Sequence, residues 1–268
     1  MYVENGVIRK NEPVGREYRL LTLLLPKIAP DVQPGQFVHL RMPRLHDAVL
    51  RRPFSVFKAS GKTLSILFRT VGRGTRAMLD LRVRDEISVM GPLGNGFPMP
   101  SGKTVLPVLV AGGYGVAPLY LLARNLPRKG VLFVGGAGKN DILCINDFKK
   151  LGWPVHVATE DGSLGTRGFV TAALDAWLAR RPAKATPEFY ACGPNGMLKA
   201  VGDRAVQDGW KAWLSLDRHM GCGVGACLAC VQRVRRNGEE IWARVCTDGP
   251  VFEAREVVWE AEEPTERR

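Results

Sequence analysis

The chain has 268 residues, 46% hydrophobic and 24% charged, a composition that excludes a disordered chain, a collagen and a coiled coil. Its length exceeds one compact core and points to more than one domain. The 38 Lys and Arg against 26 Asp and Glu, a net charge of +12, attract anions in general, but no basic arm or nucleic-acid motif accompanies them, so nucleic acid is not expected as a partner.

The amino terminus, MYVENGVIRKNEPV, lacks the basic-then-apolar order of a signal peptide, which predicts a cytoplasmic protein with reduced thiols. From Val7 to Met90, short runs rich in Val, Ile, Leu and Phe (REYRLLTLLL, QFVHLRM, SVFKA, LSILFRTV, EISVM) alternate with Gly, Pro and charged turns. That spacing predicts a small antiparallel β-barrel. The basic excess concentrates here: Arg41 to Glu86 holds eleven Lys/Arg against four Asp/Glu, whereas Glu253 to Arg268 holds six acids against three bases. Two short motifs sit inside this stretch. Arg52-Pro53-Phe54-Ser55 offers a guanidinium that can grip a pyrophosphate, and Gly72-Arg73-Gly74-Thr75 offers N–H groups and a hydroxyl at a helix start. Each also occurs by chance as a plain turn.

The uncharged run from Thr104 to Ala123 approaches the length of a membrane span. Its glycines and prolines instead predict a strand over Val105–Val110, a turn through Gly112, Gly113 and Gly115, and the start of a helix. Such a turn lets a dinucleotide lie against a strand end and a helix N-terminus with no side chain between. The runs VLFVGGAG, PVHVAT and EFYACGP continue the strand–turn–helix alternation and predict a parallel-sheet α/β domain.

Four of the six cysteines crowd the last fifth of the chain: Cys222, Cys227, Cys230 and, after fifteen intervening residues, Cys246. C-x4-C-x2-C followed by a distant Cys is the plant-type 2Fe-2S arrangement. Gly221, Gly223 and Gly225 allow the loop to curl so that amide N–H groups face sulfur. Structural zinc also takes four thiolates but usually pairs them as C-x2-C twice, and only one such pair occurs here. Asn237-Gly238 between two alternating runs predicts a hairpin, so that Cys246 follows a strand. Cys144 carries no motif and reads as a small buried hydrophobe. His39, His46, His156 and His219 are dispersed, none in a hydrolase signature; His219 stands near enough to Cys222 to bond there, though a surface or core role is the simpler reading.

The order of these motifs resembles the ferredoxin–NADP reductase superfamily, whose barrel carries an R-x-[YF]-[ST] flavin motif. More narrowly, GQFVHL, RRPFSV, GRGT, GPLGNGF, AGGYGVAP, ATEDGSLGTRGFV, ACGP, MGCGVGACLACV and RVCTDGPVF are similar to the electron-transfer subunits of the two-subunit, NAD-linked dihydroorotate dehydrogenases, over nearly the whole chain. The resemblance implies an FAD barrel over residues 1–100, an NAD-binding α/β domain over 101–211 and a small β-rich 2Fe-2S module over 212–268. It places Arg52 at the FAD pyrophosphate, Ser55 by the isoalloxazine ring, and Gly72, Gly74 and Thr75 at the phosphate turn. Gly112, Gly113 and Gly115 would meet the dinucleotide, Thr159, Glu160 and Asp161 would border it, and Cys192, Gly193 and Pro194 would flank the nicotinamide. It further implies an FMN-containing catalytic subunit that oxidises dihydroorotate to orotate, two of each chain in the complex, with the cluster loop facing it and no catalytic side chain in this chain. The same architecture serves NAD(P)H-linked ferredoxin or sulfide reductases and hydrogenase-associated subunits, and these stay open, as does a basic binding module on a reductase scaffold. Lys139 leaves NADP open as well, although the family favours NAD.

Overall fold

Alternation along the first ninety residues closes a barrel. The strands are β1 (Tyr2–Pro13), β2 (Tyr18–Leu24), β3 (Phe37–Leu40), β4 (Arg52–Ser60), β5 (Thr63–Arg69) and β6 (Glu86–Leu93), with a short helix α1 (Arg73–Ala77) before β6. In the computed structural model, which describes residues 1–43, 45, 47–100, 102, 104–180 and 185–259, they are ordered β1-β2-β5-β4-β3-β6 and all pair antiparallel. β6 buries Ile87, Val89, Gly91 and Leu93 and turns the residues between them outward, the period-two signature of a barrel wall. The first strand starts at Tyr2, ahead of the expected runs. YVENGVIRKNEP is mostly polar and buries only Gly6 and Ile8, so hydrophobic alternation could not reveal it.

β5 departs from alternation, with five consecutive buried residues from Leu64 to Phe68. Its outer face, like that of β4, is covered by the second domain. Phe57 and Leu67 pack in one core with Leu119 and Leu122, and a strand covered on both faces reads as a continuous apolar run. Polar ties frame this contact: Lys58 Nζ lies 2.6 Å from Asp147 Oδ1, and the Tyr18 hydroxyl donates to Asp141 Oδ1 at 2.9 Å.

The second domain contains β7 (Val105–Gly112), α2 (Ala117–Asn125), β8 (Val131–Gly136), α3 (Ile145–Lys150), β9 (Val155–Thr159), β10 (Thr166–Arg167), α4 (Val170–Leu178), β11 (Thr186–Cys192), α5 (Asn195–Gln207) and β12 (Lys211–Ser215). The membrane-length run is therefore strand, glycine turn and helix, and among the described residues no helix is long and apolar enough to cross a membrane. The sheet order is β10-β9-β8-β7-β11-β12-β15, its last strand, β15 (Val251–Glu253), coming from the third segment. Chain direction along the sheet reverses between β7 and β11, so a crevice opens at their carboxyl ends, where α/β sheets bind ligands.

The third segment holds a hairpin of β13 (Val231–Arg236) and β14 (Glu239–Arg244), turning at Asn237 and Gly238 with φ of 54° and 85°, the left-handed pair the turn requires. Then β15 (Val251–Glu253) pairs antiparallel with β12. The central sheet thus runs past the expected 211/212 boundary and takes its edge strand from the last segment. Val234, Ala243, Val245 and Phe252 join the core of the α/β domain, so the cluster module is anchored by packing as well as by sheet pairing.

Candidate functional site

One large cavity, of about 1340 Å³, lies where the barrel meets the crevice of the sheet. It exceeds the 300–1,000 Å³ usual for a single drug-sized ligand. From the barrel come Arg52, Pro53, Phe54, Ser55, Gly72, Gly74 and Thr75; from the α/β domain come Gly112, Gly113, Gly115, Glu160, Cys192, Gly193 and Pro194. Fourteen of the expected cofactor residues thus share one space.

Among the described residues the Arg52 guanidinium bonds only to the carbonyls of Leu50 and Arg51, whereas Arg51 turns inward onto Ser88. Of the two adjacent arginines, Arg52 is the one placed for an anion. Gly72 and Gly113 have nothing within 4 Å of where a side chain would begin, so both leave the cavity open, and Gly113 also holds a φ of +54°. Gly115 is needed for the opposite reason: a Cβ there would lie 2.2 Å from the Cys192 carbonyl oxygen. The Thr75 hydroxyl differs from expectation. It accepts the N–H groups of Val71 and Gly72 at 2.9 and 3.2 Å and so closes its own turn.

Two expected residues lie off the cavity wall. Thr159 is fully buried, and its hydroxyl donates to the Leu164 carbonyl at 2.8 Å and accepts the Leu164 N–H at 3.1 Å. Asp161 accepts both the N–H and the hydroxyl of Ser163, which hold its carboxyl below the ordinary range. Thr159→Val is accordingly expected to cost about 1–3 kcal/mol of stability for the lost buried hydrogen bonds, while the KM for the nucleotide stays put; thermal melting and steady-state kinetics check both. Lys139 also lies off the wall, exposed, with its backbone N–H on Ser163 Oγ.

The wall includes residues the sequence did not single out. Arg69, paired with Glu17 at 2.7 Å, and Arg73, paired with Asp47 at 2.8 Å, add positive charge. Tyr114 and the start of α5 at Asn195 line it too, as does Asp217, which also borders a second cavity of about 430 Å³ with Arg52, His219 and Gly221. Only the helix starts carried a signal, as turns following strands. Cys192 ends β11 opposite Ser215 of β12, and burial pushes its thiol up to about 12.

Beyond the cavity the four C-terminal thiols fall into two pairs. The Cys222 N–H donates to Cys227 Sγ, and the Cys246 N–H to Cys230 Sγ, both at 3.4 Å. Val224 and Ala226 N–H groups point at Cys222 Sγ at 3.4 and 3.3 Å. These bonds, that of Val224 foremost, pull the Cys222 thiol down to about 6, whereas burial pushes Cys246 up to about 11. Among the described residues no three His, Cys, Asp or Glu side chains close on a single point. Sulfurs ringed by amide donors fit an anionic iron–sulfur group. Gly223 and Gly225 take φ of 73° and 80° as the curled loop requires, but Gly221 does not take a positive φ. It gives room, since a Cβ there would meet Cys227 Sγ at 3.1 Å.

Cys144 is only half-buried and opens α3 at a φ of 55°, with burial pushing its thiol up to about 12. His219 is exposed, and His156 stacks on Phe133 with ring centroids 4.8 Å apart. His46 lies outside the described residues.

A family model described as the iron-sulfur cluster binding domain of dihydroorotate dehydrogenase B matches residues 217–258, and one described as the oxidoreductase NAD-binding domain matches 109–203. The chain is 40% identical over 257 residues to the dihydroorotate dehydrogenase B (NAD(+)) electron transfer subunit of Shouchella clausii, covering 94% of this chain and 96% of that one. It is 43% identical over 237 residues to the subunit of the same name from Bacillus caldolyticus, covering 84% and 87%. Among solved structures it is similar to one from a study of flavin-based electron bifurcation by NADH-dependent reduced ferredoxin-NADP oxidoreductase, with a TM-score of 0.82, 29% identity, and 96% of this chain and 90% of that chain covered. A ferredoxin reductase of carbazole 1,9a-dioxygenase, with a TM-score of 0.66 and 19% identity over 78% of this chain and 66% of that one, shares the fold.

Proposed function

Because the chain belongs to the family of dihydroorotate dehydrogenase B electron transfer subunits, we propose that its shared cavity holds FAD and NAD(H) side by side and that its paired thiols hold a 2Fe-2S cluster, through which electrons pass to or from a partner subunit. The observation that carries this reading is the joint lining of one cavity by a barrel arginine and serine and by the glycine turns of the sheet crevice, with the thiol pairs on the adjoining module.

Flavin, when bound, exchanges the electron pair of a nicotinamide for the single electrons an iron–sulfur centre carries. The residues of this chain bind and orient. Arg52 supplies a fixed cation for the FAD pyrophosphate, and Ser55, three residues on, lines the same cavity as the polar group for the flavin ring. Gly112, Gly113 and Gly115 let the NAD(H) phosphates approach the backbone after β7, and the Cys192–Pro194 turn backs the nicotinamide. Cys222, Cys227, Cys230 and Cys246 supply the thiolates, and the N–H groups of Val224 and Ala226 offset their charge. No side chain is required to abstract a proton.

The partner is a catalytic subunit containing FMN that oxidises dihydroorotate to orotate, two copies of each chain forming the complex in the cytoplasm. Val224 and Leu228 on the cluster loop are exposed, which suits a loop that docks on another protein. The likeness to the ferredoxin-NADP oxidoreductase structure favours a second reading, delivery of electrons to a ferredoxin. Dihydroorotate-dependent reduction of NAD+ by this chain mixed with its catalytic subunit decides between the two.

The first reading is tested by anaerobic NADH titration of the purified chain. Flavin absorbance should bleach while an electron paramagnetic resonance signal of a reduced 2Fe-2S centre grows; flavin without that signal, even under a stronger reductant, removes the cluster from the scheme. Arg52→Ala should weaken FAD binding by about 10–100-fold, the effect of losing about 1.5–3 kcal/mol of charged hydrogen bonding, measured by fluorescence as flavin dissociates. Undiminished affinity would move the pyrophosphate elsewhere.

A further inference from the structure

The first turn of the barrel reaches the nucleotide side of the cavity. Tyr18 opens β2 opposite Arg69 of β5 and is buried against the second domain, yet it also lines the large cavity. Beside it the β1–β2 turn rests on the α/β domain: a Cβ at Gly15 would lie 3.5 Å from Tyr18 Cδ2, 3.6 Å from Leu143 Cδ2 and 3.7 Å from the Asn140 carbonyl oxygen. The Tyr18 hydroxyl completes this contact by donating to Asp141 Oδ1 at 2.9 Å. Burial, and after it the Asp141 carboxylate, push the phenol up to about 12, so it remains a donor at neutral pH.

Asp141 faces two ways. Its Oδ1 takes the barrel's hydroxyl, and its Oδ2 accepts the Gly138 N–H at 3.3 Å, closing the short helical turn Lys139–Asp141. Gly136 fits against it, since a Cβ there would meet Asp141 Cβ at 2.7 Å. From this turn the order passes to the next strand end. The Gly136 and Ala137 carbonyls accept the N–H groups of Glu160 and Asp161, both at 3.1 Å, and the Lys139 N–H donates to Ser163 Oγ at 2.8 Å. Gly135, Gly136, Ala137, Asp141 and Glu160 all line the cavity. One barrel hydroxyl thus braces, through one carboxylate, the wall made by the ends of β8 and β9.

The order of the strands decides which part of a ligand meets that wall. With the nicotinamide at the end of β11 and the phosphates at the end of β7, the ends of β8 and β9 are left for the adenosine half of the dinucleotide. We propose that Tyr18 is a positioning residue for that half: through Asp141 it holds the Gly135–Asp141 turn, and with it Glu160, at a fixed distance from the flavin-binding barrel. The proposal rests on the reading of the cavity as the common site of FAD and NAD(H). The two polar ties between the domains then differ in role. Tyr18–Asp141 lies on the cavity wall and can act on a ligand, whereas Lys58–Asp147, at 2.6 Å, lies off it and acts on domain packing alone.

The test is titration calorimetry of the FAD-loaded chain with ADP-ribose, which carries the adenosine half and lacks the nicotinamide. Tyr18→Phe removes one hydroxyl and keeps the ring, a change the fold should tolerate. It should weaken ADP-ribose binding by about fivefold, the effect of one ordinary hydrogen bond, with the limiting rate of flavin reduction at saturating NADH unchanged. Asp141→Ala should weaken binding at least as much, and adding Tyr18→Phe to it should bring no further loss, because the phenol acts only through that carboxylate. Lys58→Met, which breaks the tie off the wall, should leave the affinity where it is. Unchanged affinity in Tyr18→Phe overturns the proposal. So do losses that multiply in the double variant, and so does an equal loss in Lys58→Met, which would make domain packing the cause. A parent chain that holds FAD but does not bind ADP-ribose overturns the nucleotide reading itself.

Discussion

Replacing Cys227 with serine should remove the cluster and leave the flavin in place. Cys227 is exposed, so the smaller hydroxyl creates no cavity and leaves no buried orphan, and the fold should lose little stability. Its Sγ is the acceptor of the Cys222 N–H, which places it in one of the two thiol pairs. Serine is a poor ligand for iron, and three thiolates leave one iron incompletely held. Iron and acid-labile sulfide should fall from two each per chain to traces, and the signal of the reduced cluster should vanish. NADH should still bleach the flavin, because the cavity is formed without Cys227. Transfer between this chain and its catalytic subunit should drop by about 100-fold or more, the loss expected when the only one-electron relay is removed. Full iron content in the variant would take Cys227 out of the ligand set, and zinc in place of iron in the parent chain would replace the redox role by a structural one.

Gly115→Ala should do the converse, silencing the nucleotide while sparing the cluster. Its backbone is not left-handed, so alanine brings no conformational penalty of the kind seen at positive φ. The whole effect is spatial. The added Cβ would lie 2.2 Å from the Cys192 carbonyl oxygen, 2.6 Å from its carbonyl carbon and 2.9 Å from the Gly193 nitrogen. All three are backbone atoms of a strand end held between β7 and β12, so they cannot swing aside like a flexible side chain. The turn after β7 and the turn after β11 have to part, and these are the walls proposed to meet the NAD(H) phosphates and the nicotinamide. Overpacking of this kind costs about 1–3 kcal/mol of stability. A displacement of 1 Å at a reacting centre costs about 100-fold in rate. The expected result is a fall of about that size in kcat/KM for NADH-dependent flavin reduction, with flavin and iron contents retained; stopped-flow absorbance reads it. Unchanged kinetics would mean that the nucleotide does not depend on the spacing of these turns.

The site was legible in unequal parts. Local motifs were readable because their chemistry is local: three cysteines on one loop, a glycine turn after an apolar strand, an arginine and a serine three residues apart. Fourteen expected cofactor residues do meet in one cavity. Thr159 and Asp161 lie off the cavity wall: a polar residue in a turn looks the same in sequence whether it faces a ligand or closes the turn, and here Leu164 and Ser163 engage them. β1 was missed for want of an apolar pattern.

The sequence by itself determined the order of the three units, the parallel α/β character of the middle one, the hairpin at Asn237-Gly238 and the C-x4-C-x2-C spacing, since each depends on residues close together in the chain. Tertiary structure alone decided the rest. It gave the central sheet a strand from the last segment, set the amide N–H of Cys246 on Cys230 Sγ, and brought His39 of the barrel against Gly223 of the cluster loop. Those outcomes join residues up to about 184 positions apart, and contacts at such separation follow from how whole elements pack, which no local pattern of side chains records.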